Sequence, residues 1–126
     1  MDCIFCDYIH TKDKIIAENE LAFAIYDTFP VNTGHTLIIP KRHFKDYFEA
    51  TPDEIKAIYE LTHTMKRILD DKFKPDAYNI GVNIGEAAGQ TVMHLHVHMI
   101  PRFIGDIKNP RGGIRKMMKN MVHYDG

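Results

Sequence analysis

The chain is 126 residues long, 44% hydrophobic and 26% charged, with 8 glycines and 6 prolines; this is the length of one ordinary domain and a globular composition, which excludes a disordered, collagen-like or coiled-coil chain. Sixteen Lys and Arg against seventeen Asp and Glu give a net charge of −1, so no overall positive field exists to hold a nucleic-acid backbone. Two cysteines cannot build a disulfide scaffold, no apolar run approaches the roughly 20 residues of a membrane helix, and the start Met-Asp-Cys-Ile-Phe-Cys-Asp lacks the basic and apolar regions of a signal peptide, so a reducing, cytoplasmic location is expected.

In chain order, residues 21–26 and 35–39 are short apolar runs, closed by Asp27-Thr-Phe-Pro30 and by Pro40, and both read as strands joined across Asn32-Thr33-Gly34. Thr51-Pro52-Asp53-Glu54 supplies an N-cap, a proline at the first helical position and a Glu three residues after the cap, the pattern of a capping box. Behind it Ile55, Ile58, Leu61, Thr62, Met65, Ile68 and Leu69 recur at three- and four-residue intervals. A helix therefore runs to Asp70-Asp71 and covers a sheet with its apolar stripe. In residues 77–84, Tyr78, Ile80, Val82 and Ile84 share one strand face and Asn79, Gly81 and Asn83 the other, so Asn83 points away from the helix-covered core. Residues 91–100 alternate again and are closed by Pro101. Beyond them residues 114–121 read as a short basic helix, and Lys108, Arg111, Arg115, Lys116 and Lys119 as a solvated face rather than a nucleic-acid site.

The chemistry concentrates in the histidines. A two-residue period puts His94, His96 and His98 on one face of the last strand, with Met93, Leu95, Val97 and Met99 on the other. Each covered imidazole needs a hydrogen-bond partner, a requirement that Val or Thr would not impose, so three at strict alternation point to function. A straight row does not suit one metal ion. Alternate residues lie roughly 6.6 to 7 Å apart, which starts His94 and His98 roughly 13 Å from each other, whereas Zn–N bonds of about 2.0 to 2.1 Å hold ligand nitrogens within roughly 4 Å. A neighbouring pair can converge on an ion, so the row divides its labour: one end goes to structure or metal, the middle to chemistry. Taken alone, Cys3-x-x-Cys6 stays open between a redox pair, half a zinc site and two incidental thiols.

Residues 90–102, Gln-Thr-Val-Met-His-Leu-His-Val-His-Met-Ile-Pro-Arg, resemble the His-φ-His-φ-His-φ-φ signature (φ apolar) of the histidine triad (HIT) family of nucleotide hydrolases and transferases. Asp27, His35, the run Leu37-Ile-Ile-Pro-Lys-Arg-His43, the capped helix from Thr51 and Asn83 fall in the order and spacing of its Hint-like and bacterial branches. The resemblance covers residues 3–102; the tail matches only through Asn109-Pro-Arg-Gly-Gly. It implies an α+β fold, an antiparallel sheet of about five strands packed with one long and one short helix. It also implies one HIT domain over residues 1–126, of which 103–126 form a C-terminal extension.

By the same resemblance, His96 attacks the α-phosphorus of a purine nucleotide conjugate and forms a nucleotidyl-histidine that water hydrolyses. His98 donates to the phosphoryl oxygens, His35 supports the triad, and Thr91 and Asn83 donate to the phosphate or leaving group. Asp27 accepts from the ribose hydroxyls, Phe5, Ile25 and Thr28 wall the base, and Gln90 completes the substrate site. Cys3, Cys6, His43 and His94 hold a structural zinc ion, and two copies form a homodimer. Asn83 stands where the dinucleoside-polyphosphate branch carries Gln, which favours a phosphoramidate-like substrate. The other readings are a dinucleoside polyphosphate hydrolase, a metallohydrolase with an open coordination position, and a zinc-stabilised nucleotide-binding protein without turnover.

Overall fold

Alternation along two neighbouring strands sets the architecture. In β2 (Ala22–Tyr26) and β3 (Thr36–Pro40) nearly every residue is buried, but on two different sides. Ala22, Ala24 and Ile38 join one core with Ile58, Leu61, Met65, Leu69, Val97 and Met99, while Phe23, Ile25, Leu37 and Ile39 join a second with Cys3 and Phe5. The small alanines on the first side let a helix sit close against the sheet.

The computed structural model describes residues 3–118. Helix α1 (Ile4–Thr11) precedes β1 (Ala17–Glu18), β2 and β3; α2 (Pro52–Phe73), β4 (Ala77–Val82) and β5 (Val97–Arg102) follow, with 3-10 turns at Tyr47–Glu49, Glu86–Ala88 and Gly113–Met117. Every pairing is antiparallel and the strand order is β1-β2-β3-β5-β4. This is the five-stranded α+β sheet with one long and one short helix that the resemblance implies. Among the described residues, no helix is long and apolar enough to cross a membrane.

Helix α2 starts as its sequence dictates. Thr51 Oγ1 accepts from the Glu54 amide at 3.1 Å, and Glu54 Oε1 accepts from the Thr51 amide at 2.9 Å, so two otherwise orphaned N–H groups are satisfied. Arg42 then donates to both oxygens of the buried Glu54 carboxylate, at 3.0 and 2.9 Å. That hydrogen-bonded guanidinium holds Glu54 below the usual carboxylate range and moors the segment carrying His43 to the start of α2.

Four expectations change. The short helix is α1, not the tail; the tail has the 3-10 turn Gly113–Met117, and residues 119–121, including Lys119, lie outside the described residues. The two-residue β1 carries too little pattern to be seen in sequence. Strand β4 ends at Val82, ahead of Asn83 and Ile84. The histidine strand begins at Val97 rather than residue 91, because its pairing with β3 stops at Ile38 opposite Val97. Two positions further along β3 stands Pro40, which has no N–H to donate to a ladder, and its carbonyl is taken by the His94 ring at 2.7 Å.

Gly34, just before His35, adopts φ +82°, and a Cβ there would lie 2.9 Å from Phe73 Cδ2 and 3.1 Å from Pro101 Cγ. Gly34→Ala is expected to destabilise the fold by about 2 kcal/mol through the left-handed backbone and this crowding, read as a lower urea midpoint. An unchanged midpoint would refute the constraint.

Candidate active site and metal centre

On the sheet face opposite α2, three imidazoles have their protons placed by groups of one-sided chemistry. A carbonyl oxygen only accepts, so the nitrogen bonded to it must carry the hydrogen. His96 Nδ1 lies 2.8 Å from the carbonyl of His94; His96 therefore keeps its proton on Nδ1 and leaves Nε2 with a free lone pair. His94 Nε2 lies 2.7 Å from the carbonyl of Pro40, which leaves the lone pair of His94 on Nδ1. The backbone is pinned as well, because the Leu95 amide donates to the Phe44 carbonyl at 2.7 Å.

His98 is set by the opposite logic. The Val31 amide donates to His35 Nδ1 at 3.1 Å, so His35 carries its proton on Nε2. That nitrogen faces His98 Nδ1 at 2.9 Å and Asp27 Oδ2 at 3.4 Å. With Nδ1 accepting, neutral His98 must hold its own proton on Nε2, and among the described residues this is the buried side-chain nitrogen without a partner. Burial pushes His98 down to about 4, with His96 and His35 adding to the shift and Asp27 opposing it. Burial likewise lowers His35, again against Asp27. Both rings are thus neutral near pH 7. Side by side stand a nitrogen with a free lone pair on His96 and a nitrogen with an unpartnered hydrogen on His98, their ring centres 5.2 Å apart.

The His94 Nδ1 lone pair points into a second cluster. Cys3 Sγ lies 3.3 Å from it, Cys6 Sγ 3.7 Å and His43 Nδ1 3.1 Å, while Cys6 Sγ and His43 Nδ1 are 3.5 Å apart. A tetrahedral ion with bonds of about 2.0 to 2.3 Å separates its ligands by roughly 3.3 to 3.8 Å, so the donor set fits such an ion. Burial, and then the Cys3 thiol beside it, push the Cys6 thiol up to about 11; a divalent cation supplies the charge that lets these sulfurs ionise. Four N and S donors would fill all four positions around such an ion and leave none open for a substrate or water.

The remaining candidates divide between the cleft and the scaffold. Asn83, His35 and His98 line one cleft of about 880 Å³ that continues to Ile107, Ile114 and Lys116. Asp27 is half-buried, with Oδ1 accepting from the Phe29 amide at 2.8 Å. Thr28 and Thr91 are exposed, whereas Ile25 and Phe5 are buried in the core on the α1 side. Gln90 is 3% exposed and its amide is committed to backbone, accepting from Gly85 and donating to Lys45 and Val92; it ties the His43 segment to the approach of the triad and does not face the cleft. Sequence reasoning did not single out Arg102 and Asp106, which pair at 2.8 and 2.9 Å, while Asn32 donates to the same Asp106 at 2.9 Å. Their i, i+4 spacing was the available signal, but it reads as a helix pair, and here it spans a strand end.

A sequence model of the HIT domain matches residues 10–105. An uncharacterised HIT-like protein of Mycoplasma pneumoniae is 40% identical over 104 residues, covering 81% of this chain and 72% of its own. The crystal structure of a Zn-bound histidine triad family protein from Mycobacterium smegmatis superposes with a TM-score of 0.76 at 35% identity, over 84% of this chain and 78% of that one. The adenylylsulfatase HINT3 of Arabidopsis thaliana is 35% identical over 103 residues, 80% of this chain and 52% of its own length.

The depressed His98 value carries a pH consequence. Between about 4 and the ordinary 6.5 the unfolded chain binds a proton that the folded chain does not, so stability is full above that window and falls as pH drops through it. Urea titrations at pH 7 and pH 5 are expected to show a smaller loss for His98→Asn than for wild type. Equal losses would remove His98 as a source.

Proposed function

The chain belongs to the histidine triad (HIT) family, and from that premise we propose that it hydrolyses a purine nucleotide conjugate, a nucleoside phosphoramidate or a similar P–X compound, through a covalent intermediate on His96. The observation that carries the reading is the tautomer forced by the His94 carbonyl at 2.8 Å. Neutral imidazole with its proton on Nδ1 presents Nε2 as a nucleophile at neutral pH without a separate base.

In the first step His96 Nε2 attacks the α-phosphorus and the P–X bond breaks, its electron pair leaving with X. His98 Nε2–H, neutral and unpartnered, donates to a phosphoryl oxygen as charge builds on it. Thr91 and Asn83 serve as further donors at the leaving-group side, and Asp27 accepts from the ribose. Positive charge on the nucleotidyl-imidazole is met by the hydrogen bond from Nδ1 to the His94 carbonyl. Water then attacks phosphorus in line and releases a proton to solvent, from which the departed X has taken one, and His96 leaves with its lone pair restored. Zinc on Cys3, Cys6, His43 and His94 supplies a cross-link between α1 and the triad, and takes no part in these steps.

The relative named as an adenylylsulfatase supports a P–X substrate whose leaving group is not a nucleotide. Asn83 supports the same choice over a dinucleoside polyphosphate. A homodimer is part of the proposal: an apolar groove of about 550 Å³ between α2 and β4, lined by Ile55, Ile58, Tyr59, Ile80, Val97 and Met99, lies open beside the sheet edge, with Tyr59 and Ile80 exposed in it. A second copy would cover both.

Mixing the protein with adenosine phosphoramidate and quenching rapidly at neutral pH is expected to give a mass increase of one AMP mapped to His96. The adduct should be missing in His96→Ala and His96→Gly, with turnover reduced on the order of 10⁴-fold or more. AMP release without an adduct, abolished by a chelator, would instead establish metallohydrolase chemistry. For the dimer, sedimentation should give twice the chain mass for wild type and the chain mass for Ile80→Glu; a monomeric wild type refutes that part.

A further inference from the structure

The His94 carbonyl fixes which nitrogen of His96 carries hydrogen, but one hydrogen bond leaves the ring free to rock about its own axis. The second restraint comes from Phe5. Its ring centre lies 5.1 Å from His96 at an interplanar angle of 67° and 5.8 Å from His94 at 83°, both edge-type contacts. The His96 ring also meets His98 at 5.2 Å and 65°. The imidazole thus makes edge contacts with two rings, one from β5 and one from α1.

Phe5 owes its position to the metal cluster. It lies in the first turn of α1 between Cys3 and Cys6, and Cys3, at the N-cap, makes no side-chain capping bond. The start of this helix is held instead by the contacts of both sulfurs with His94 and His43. Phe5 is 4% exposed, which leaves little of its surface for a base to cover. We propose that Phe5 is a positioning residue for the reaction, which holds the His96 ring at its attack angle by edge contact and so couples the seat of α1 on its metal cluster to the nucleophile. The proposal rests on reading His96 as the nucleophile. A misplacement of that ring costs rate rather than affinity, since substrate binding does not require the in-line geometry that attack does.

The test uses full-length, metal-loaded protein labelled with nitrogen-15, comparing wild type, Phe5→Leu and Phe5→Tyr. Two-bond nitrogen–proton spectra report the tautomer and order of each imidazole without any substrate. Wild-type His96 is expected to show one sharp pattern with the proton on Nδ1. In Phe5→Leu the same pattern should broaden as the ring rocks, with the proton still on Nδ1, while elemental analysis still finds one zinc per chain. With adenosine phosphoramidate, kcat should fall between about tenfold and a hundredfold and KM stay within twofold. Phe5→Tyr, which keeps the ring, should stay within threefold of wild type on both. If Phe5→Leu fails to fold, Phe5→Met, flexible enough to fill the gap, takes its place. A raised KM with unchanged kcat and a sharp His96 pattern would assign Phe5 to the base and overturn the proposal. Loss of zinc together with the pattern would assign it to holding the metal, and overturn it equally. Should wild type turn over no nucleotide, the spectra still decide the positioning role, and only the reading of His96 as nucleophile is lost.

Discussion

A carbonyl oxygen can accept a hydrogen bond and cannot donate one, and two such oxygens order the chemistry of this protein. Pro40 receives the Nε2 hydrogen of His94, and His94 receives the Nδ1 hydrogen of His96. The first bond turns the other nitrogen of His94 toward two cysteines and His43; the second turns the other nitrogen of His96 outward with its lone pair free. One residue thereby serves two groups, by its ring the cluster with Cys3, Cys6 and His43 and by its backbone the imidazole proposed as the nucleophile. His98 obeys the reverse rule. The backbone donor that sets it is the Val31 amide, acting through His35, and a chain that begins with a donor ends with a donor. The same side-chain type can serve as ligand, nucleophile and hydrogen-bond donor in the proposed reaction because each begins from a different backbone group.

These bonds stay in register because the sheet has two unlike faces. The α2 side is mainly hydrophobic, with Leu61, Met65 and Leu69 at 2%, 0% and 0% exposure, and its apolar burial stabilises the fold. The other side carries Asp27, His35, His98 and Asn83 on β2 and β3 or their continuations and on β5 and β4, framed by α1. Polar groups on that face cost stability when covered, and Asp27, His35 and His98 are held by specific partners rather than by packing alone. Slipping one strand by a single residue would exchange the faces and bury the histidines under α2. The contacts of Cys3 and Cys6 with His94 and His43 at one end and the Arg102–Asp106 pair at the other, 2.8 Å between Nε and Oδ2, hold the borders of this face.

What the sequence shows of this arrangement follows from what is periodic in it. The capping box at Thr51, the stripe of α2 and the His/apolar alternation at 94–99 are local patterns, and each appears where its spacing puts it. Helix α1 has eight residues, no side-chain cap and a single buried residue, Phe5, so nothing local marks it; contacts of its cysteines with residues about 90 positions away hold it. The start of β5 is equally non-local. Alternation of faces persists through Leu95, in the α2-side core, and His96, against Phe5, although ladder pairing does not, because the chain trades strand pairing with Pro40 for a ring bond to its carbonyl and a backbone bond to Phe44. Gln90 is the instructive case among the site residues. Its place beside the signature suggests substrate, and its three backbone bonds give it to the scaffold.

Three rings on a straight strand cannot reach one ion, and hydrogen bonding adds a second constraint on His96. Residues 94–96 are not paired with a neighbouring strand, and the His96 ring stays out of the cluster of Cys3, Cys6, His43 and His94. What keeps it away is the proton on Nδ1, committed to the His94 carbonyl, together with the Phe5 ring between His96 and the cysteines' helix. A metal ligand needs a lone pair directed at the ion, and His96 directs its lone pair elsewhere. Hydrogen-bond chemistry thus sets the donor cluster around His94 apart from the nitrogen proposed as the nucleophile.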